Sequence, residues 1–122
     1  MELIRDLNRA TYQITAYEPG SIFINQQRYQ HSLIISAHHC LNPWPVHSID
    51  SLSWEAFEWV LQNPPDILLL GTGLHSYYPK TSIFETFRAQ NIGFEVMNTR
   101  SACRTYVILA AEGKRVSAAL IN

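Results

Sequence analysis

Asp66-Ile67-Leu68-Leu69-Leu70-Gly71-Thr72-Gly73, followed twenty residues later by Gly93-Phe94-Glu95-Val96-Met97-Asn98-Thr99, decides the fold. The first stretch is a short apolar run ended by a glycine turn, the pattern of a strand buried on both faces. The second is another strand, and the segment between them is long enough for one helical crossover. That helix begins near Thr81 or Ser82, buries Phe84 and Phe87, and stops at Asn91-Ile92-Gly93, with Gly93 expected as its cap. Two strands joined this way should lie parallel. In an open α/β sheet the strand ends and helix starts converge on a crevice where ligands bind.

A third helix follows at once, from Thr99 to Glu112, with Gly113 as its stop. Cys103, Tyr106, Val107 and Ala110 form its expected apolar stripe, while Arg100 and Arg104 stand one turn apart on another flank. Ile108 projects towards the polar side, which suggests that a loop or a partner covers this flank. Val116 to Ile121 reads as the last strand.

Upstream, residues 1–11 read as a lead-in and Tyr12 to Ala16 as a short edge strand. Pro19-Gly20 marks a turn. Ser21 to Asn25 and Tyr29 to Ser36 are expected as two strands of a hairpin turning at Asn25-Gln26-Gln27-Arg28, although the favoured Asn-Gly pair is missing. Residues 37–52 form a loop, since prolines flank Trp44. Ser51 or Ser53 should then cap a helix that buries Trp54, Phe57 and Leu61 and leaves Trp59 on the side of Glu55. Pro64-Pro65 ends it.

The 122 residues suit a single domain spanning 1–122, large enough for a core without metal or disulfide staples. Nine basic and ten acidic side chains give a net charge of −1, which argues against a broad nucleic-acid or membrane surface. The charge is uneven: residues 1–79 hold three basic and seven acidic groups, residues 80–122 six and three. The C-terminal part therefore suits a small anion or an acidic partner. Cys40 and Cys103 lie far apart without metal spacing, and Met1 to Asp6 holds three charged residues, so no signal peptide is expected. Both features point to a reduced, cytoplasmic compartment. No apolar run reaches the roughly 20 residues of a membrane span.

Gly71-Thr72-Gly73, Glu95-Val96-Met97, Ala102-Cys103-Arg104-Thr105-Tyr106 and Glu112-Gly113-Lys114-Arg115-Val116 occur in an order that resembles a known family. Gly20-x-Ile22-x-Ile24-Asn25 and the Trp44 loop also match, so the resemblance spans nearly the whole chain. The family consists of small proteins long catalogued as a domain of unknown function. It includes the mitochondrial respiratory complex I assembly factor 3 and an adipogenesis-associated domain protein. The resemblance implies an α/β fold of three layers, with a mixed central sheet, flanking helices and an extra N-terminal β-hairpin. It also implies an assembly or regulatory role. An Asn commonly follows Thr-Tyr in the family; here Val107 takes that place and removes a polar side chain from that part of a site.

Several residues invite chemistry. The backbone of Gly71, Thr72 and Gly73 could approach an anion closely, but the turn is too short for a dinucleotide fingerprint or a P-loop. Arg104, near a helix start and the sheet crevice, can form a fork with a carboxylate or phosphate, or pair with Glu95. Thr99 completes this candidate ligand set. Cys103 lies early in a helix beside Arg104, yet its place on the apolar stripe favours a packed thiol. His38, His39 and Cys40 lack zinc spacing, so no metal is expected. Ser76 or Cys103 with His75 and Glu95 has the residue types of a nucleophile, base and acid, but spacing alone gives no geometry. Trp44, Trp59, Tyr77 and Tyr78 are expected as an exposed aromatic patch marking a protein interface. The sequence thus favours a binding protein over an enzyme, with no cofactor. Its partner would be another protein, as for an accessory factor of a larger complex. The alternative is a small-molecule or anion site, even an enzyme's, at Gly71, Gly73 and Arg104.

Overall fold

The structure, a computed structural model, describes residues 11–122. Nearly all of the lead-in assigned to residues 1–11 lies outside them. Strands β1 (Ile14–Glu18), β2 (Ser21–Ile24) and β3 (Gln27–Tyr29) form a small antiparallel sheet in the order β1-β2-β3. The β2–β3 turn is made by Asn25 and Gln26, both left-handed at φ 51° and 71°. This is the φ pattern of the hairpin turn whose backbone twist suits its strands, even without a glycine.

The expected single strand from Tyr29 to Ser36 is divided. Tyr29 ends β3, and β4 (Leu33–Ser36) belongs to the main sheet. Its side chains Leu33, Ile34 and Ile35 are fully buried, which an edge hairpin could not provide. A two-residue strand β5 (Cys40–Leu41) pairs with β4 inside the stretch expected to be loop.

Between Ile49 and Gln62 the chain makes two 3₁₀ turns, Ile49–Ser51 and Trp54–Phe57, and only then the short helix α1 (Glu58–Gln62). Strand β6 (Ile67–Gly71) leads through helix α2 (Thr81–Ala89) to β7 (Gly93–Met97), which pairs parallel with β6 in unbroken register, as expected. Helix α3 (Thr99–Ala111) and strand β8 (Val116–Leu120) close the chain. The five-stranded sheet has the order β5-β4-β8-β6-β7; β8 runs parallel to β6 and antiparallel to β4, so the sheet is mixed.

The left-handed residue after α2 is Asn91, at φ 57°; Gly93 has already entered β7. Asn tolerates this conformation better than other side chains, so the terminator sits two residues earlier than expected. Gly113, at φ +80°, ends α3 as read from the sequence.

Alternation along the strands sends Ile34, Leu68, Leu70 and Ala119 to one face, where Trp44, Phe57, Val60, Ile83 and Phe87 cover them. Leu33, Ile35, Leu69, Ala118 and Leu120 face the other side, against α3 and the small sheet with Ile14, Ile22 and Ile24. The molecule is therefore three-layered. Burial on both faces is why β6 reads as a continuous apolar run rather than an alternating one, and why every residue of β8, Ser117 included, is buried.

Two aromatic expectations fail here. Trp54 stays 47% exposed, because Phe57, at φ −106° and ψ 11°, separates the 3₁₀ turn from α1 and breaks their common face. Trp44, expected at the surface, is only 2% exposed: its Nε1 donates to the Ala56 carbonyl at 2.8 Å and its ring packs against Phe57. The loop carrying it closes a part of the sheet that the short helices leave open.

Candidate functional site

Gly71, Thr72, Gly73 and Thr99 do come together, as one internal joint. A Cβ on Gly71 would stand 2.9 Å from both Cα and Oγ1 of Thr99, so the start of α3 rests directly on the end of β6. Thr99 Oγ1 donates to the Ile121 carbonyl at 2.7 Å and accepts from the Gly73 N–H at 2.8 Å. The Thr72 hydroxyl lies within reach of the His75 and Met97 carbonyls and accepts from Tyr77 N–H. The Thr72 and Gly73 N–H groups, whose backbone was expected to approach an anion, are thus engaged within the fold, Thr72 N–H donating to the Met97 carbonyl at 2.9 Å, and so are both threonine hydroxyls.

Arg104 stands elsewhere. It lines a groove of about 420 Å³ between β1 and α3, bounded by Ile14 to Tyr17 on one side and by Arg100, Cys103, Arg104, Val107 and Ile108 on the other. Glu95 is exposed on β7, the edge strand of the main sheet, and forms no ion pair with Arg104. The expected wall of Gly71-Thr72-Gly73 is replaced by β1, because the small sheet packs against the flank of α3 that carries the arginines.

Arg100, which the sequence places one turn from Arg104 but which was not among the expected site residues, is central. Its guanidinium lies 5.1 Å from the centre of the Tyr17 ring, a cation–π contact across the groove. It also lines a smaller depression of about 80 Å³ with Tyr17, Pro19, Gly73, Leu74 and Asn98. The two depressions meet at Tyr17 and Arg100. Through Arg100, then, the glycine turn does adjoin the groove that Arg104 lines. The Asn98 side chain caps α3 by accepting from Ser101 N–H at 2.9 Å. The signal available in the sequence was the row Arg100, Arg104, Ile108, one residue per turn, with an apolar residue where a polar flank should continue.

The floor of the groove includes Cys103, whose thiol burial pushes up to about 12; the nearby Arg100 opposes this shift and does not cancel it. It is a packed thiol. His75 and Ser76 sit exposed after β6, apart from the groove that Cys103 helps to line. A second cleft, of about 500 Å³, lies near the starts of β6 and β8 and includes His38, His39, Pro64 and Arg115. Among the described residues no three His, Cys, Asp or Glu side chains gather as metal ligands. His38 Nδ1 instead lies 3.1 Å from the Thr11 hydroxyl.

The four interface candidates separate. Trp44 is internal and Trp59 packs against the core, whereas Tyr77 and Tyr78 are 51% and 87% exposed. Leu74, in the same loop, is exposed too, as are Val107 and Ile108 on α3. Among the described residues no helix is long and apolar enough to cross a membrane.

Residues 14–121 match the family model described as "Protein of unknown function (DUF498/DUF598)". The chain is 29% identical over 121 residues to the human NADH dehydrogenase (ubiquinone) 1 alpha subcomplex assembly factor 3, covering 98% of this chain and 65% of that protein. It is also 29% identical to the 13 kDa major membrane protein of Francisella tularensis, over 86% of each. Among solved structures, a Bordetella parapertussis protein superposes with a TM-score of 0.85 at 33% identity, covering 91% of this chain and 95% of that one.

Proposed function

The chain belongs to the family described as proteins of unknown function (DUF498/DUF598), and from that footing we propose that it is an accessory protein that binds another protein during the assembly of a larger complex. One observation carries the reading: 98% of the chain aligns with a protein named as an assembly factor. The chain spans about two thirds of that factor's length, so the alignment supports a shared mode of action and leaves the complex itself to experiment. The exposed surface agrees. Leu74, Tyr77 and Tyr78 put three large apolar side chains into water within five residues, a grouping more typical of contact surfaces than of ordinary loops.

The test is deletion of the gene in its host, followed by native gels of the membrane-bound and soluble complexes. The expected outcome is loss of one mature complex with accumulation of its partial assembly. Wild-type chain should restore it, and a Tyr77→Ser, Tyr78→Ser chain that melts normally should restore it poorly. Complexes indistinguishable from wild type after deletion would overturn the reading.

A further inference from the structure

The groove between β1 and α3 is graded along its length. Arg100 and Arg104 stand at one end and Val107 and Ile108 at the other, with Tyr17 and Ile14 opposite. No acidic residue lines it, so its charge is uncompensated from within. Its other wall, β1, is the edge of its sheet: β2 pairs with one side, and among the described residues no strand pairs with the other. An edge strand offers backbone donors and acceptors to a further strand.

We propose that this groove receives an extended segment of the partner protein, laid beside β1 as an added strand, with a carboxylate held by Arg104 and Arg100 and an apolar side chain against Ile14, Val107 and Ile108. The proposal rests on the protein-binding reading above and gives the partner's chemistry. Charge complementarity selects an acidic group, because two guanidiniums without a counter-charge disfavour a basic or neutral polar one. Helical rise sets the spacing. Arg104 and Ile108 are about 6 Å apart along α3, and Arg100 and Ile108 about 12 Å. An extended chain covers these distances in about two and four residues, and both separations keep the side chains on one face of a strand. The recognised segment therefore has Asp or Glu two or four positions from Leu, Ile, Phe or Met.

A displayed library of random decapeptides, panned on the full chain and counter-selected on Arg104→Glu and Ile108→Asp chains, tests this. Both replaced side chains are exposed, and thermal melts verify that the variants fold. Enriched peptides should carry the acid and apolar residue at the stated spacing. Made synthetically, they should lose at least about tenfold in affinity, read by fluorescence anisotropy, to either variant. N-methylation of alternate backbone amides in the peptide should weaken binding as well. Peptides that bind the variants as well as wild type, or a library that yields nothing above the counter-selected background, would overturn the proposal. So would decanoate binding that depends on Arg104 while no peptide is enriched, since that assigns the groove to a small amphipathic anion. The gene deletion reads independently. A lost complex with no selected peptide removes only this docking site; selected peptides with intact complexes remove only the assembly role.

Discussion

Cys103, on the buried face of α3, is 3% exposed, and its thiol is pushed up from its ordinary value of 9.0 to about 12, chiefly by burial. Tyr106, in the same cluster, is raised in the same direction for the same main cause. The unfolded chain ionises at the ordinary value and the folded one does not, so between pH 9 and 12 the unfolded state binds fewer protons. Stability contributed by these groups is complete below pH 9 and falls as pH rises towards 12. Melting temperatures measured across this range should decline steadily, and a Cys103→Ala chain should decline less steeply. At pH 8, a thiol reagent should label the half-buried Cys40 first and Cys103 only slowly until denaturant is added. Rapid labelling of Cys103 in the native protein would contradict the burial. Both residues were legible as free thiols from their spacing, and the apolar stripe identified Cys103 as packed. Gly71 was legible as a place of close approach, but not the group that approaches. A sequence shows where a side chain is missing; only the fold shows that Thr99 occupies the space.

Among the elements, those set by dense local signals were readable. The apolar run of β6, the crossover through α2 and the 13-residue α3 all came from periodicity plus a terminator. The segment from Ile49 to Gln62 did not, because a 3₁₀ turn and an α-helix share short-range spacing until the backbone at Phe57 separates them. The division of Tyr29 to Ser36 was likewise invisible: two strands of different sheets leave the same apolar signature as one. The β2–β3 hairpin offers a direct experiment. Gln26 holds φ 71° and its N–H donates to the Thr15 hydroxyl at 3.1 Å. A left-handed residue with a side chain costs roughly 1–2 kcal/mol, and glycine removes this at an entropic cost of about 0.5–1 kcal/mol. Gln26→Gly creates Asn-Gly while keeping the N–H. It should therefore raise the stability measured by urea unfolding, by up to about 1.5 kcal/mol, with an unchanged m-value. A loss of stability would mean that the Gln26 side chain contributes more than its backbone costs.

At the scale of the molecule, the two sheets are separate ladders, joined by side-chain packing and a few hydrogen bonds at their margins, Asn122 Nδ2 to the Tyr29 carbonyl at 3.1 Å and Tyr12 N–H to the Ala37 carbonyl at 3.0 Å among them. Strand β8 is hydrogen-bonded on both sides, to β4 and β6, and every residue in it is buried. Opening β8 requires both neighbouring ladders and both core clusters to come apart, so its amides should exchange only on global unfolding. The small sheet meets the rest through Ile14, Ile22 and Ile24, while Gln27 and Arg28 of β3 are exposed. It can lift from α3 by giving up one apolar contact surface and the bonds from Tyr106 OH to the Tyr12 carbonyl and from Asn122 to the Tyr29 carbonyl, without breaking a rung of the main-sheet ladders. Native-state hydrogen exchange should therefore rank the amides of 68–70 and 118–120 slowest and those of 27–29 fastest among the strands. The β1 amides should lie between, and a peptide seated in the groove should slow them selectively, since it would pair with their open side. Equal protection in both sheets would make the small sheet part of one cooperative unit with the main sheet, and the groove a rigid wall rather than an edge able to accept another strand.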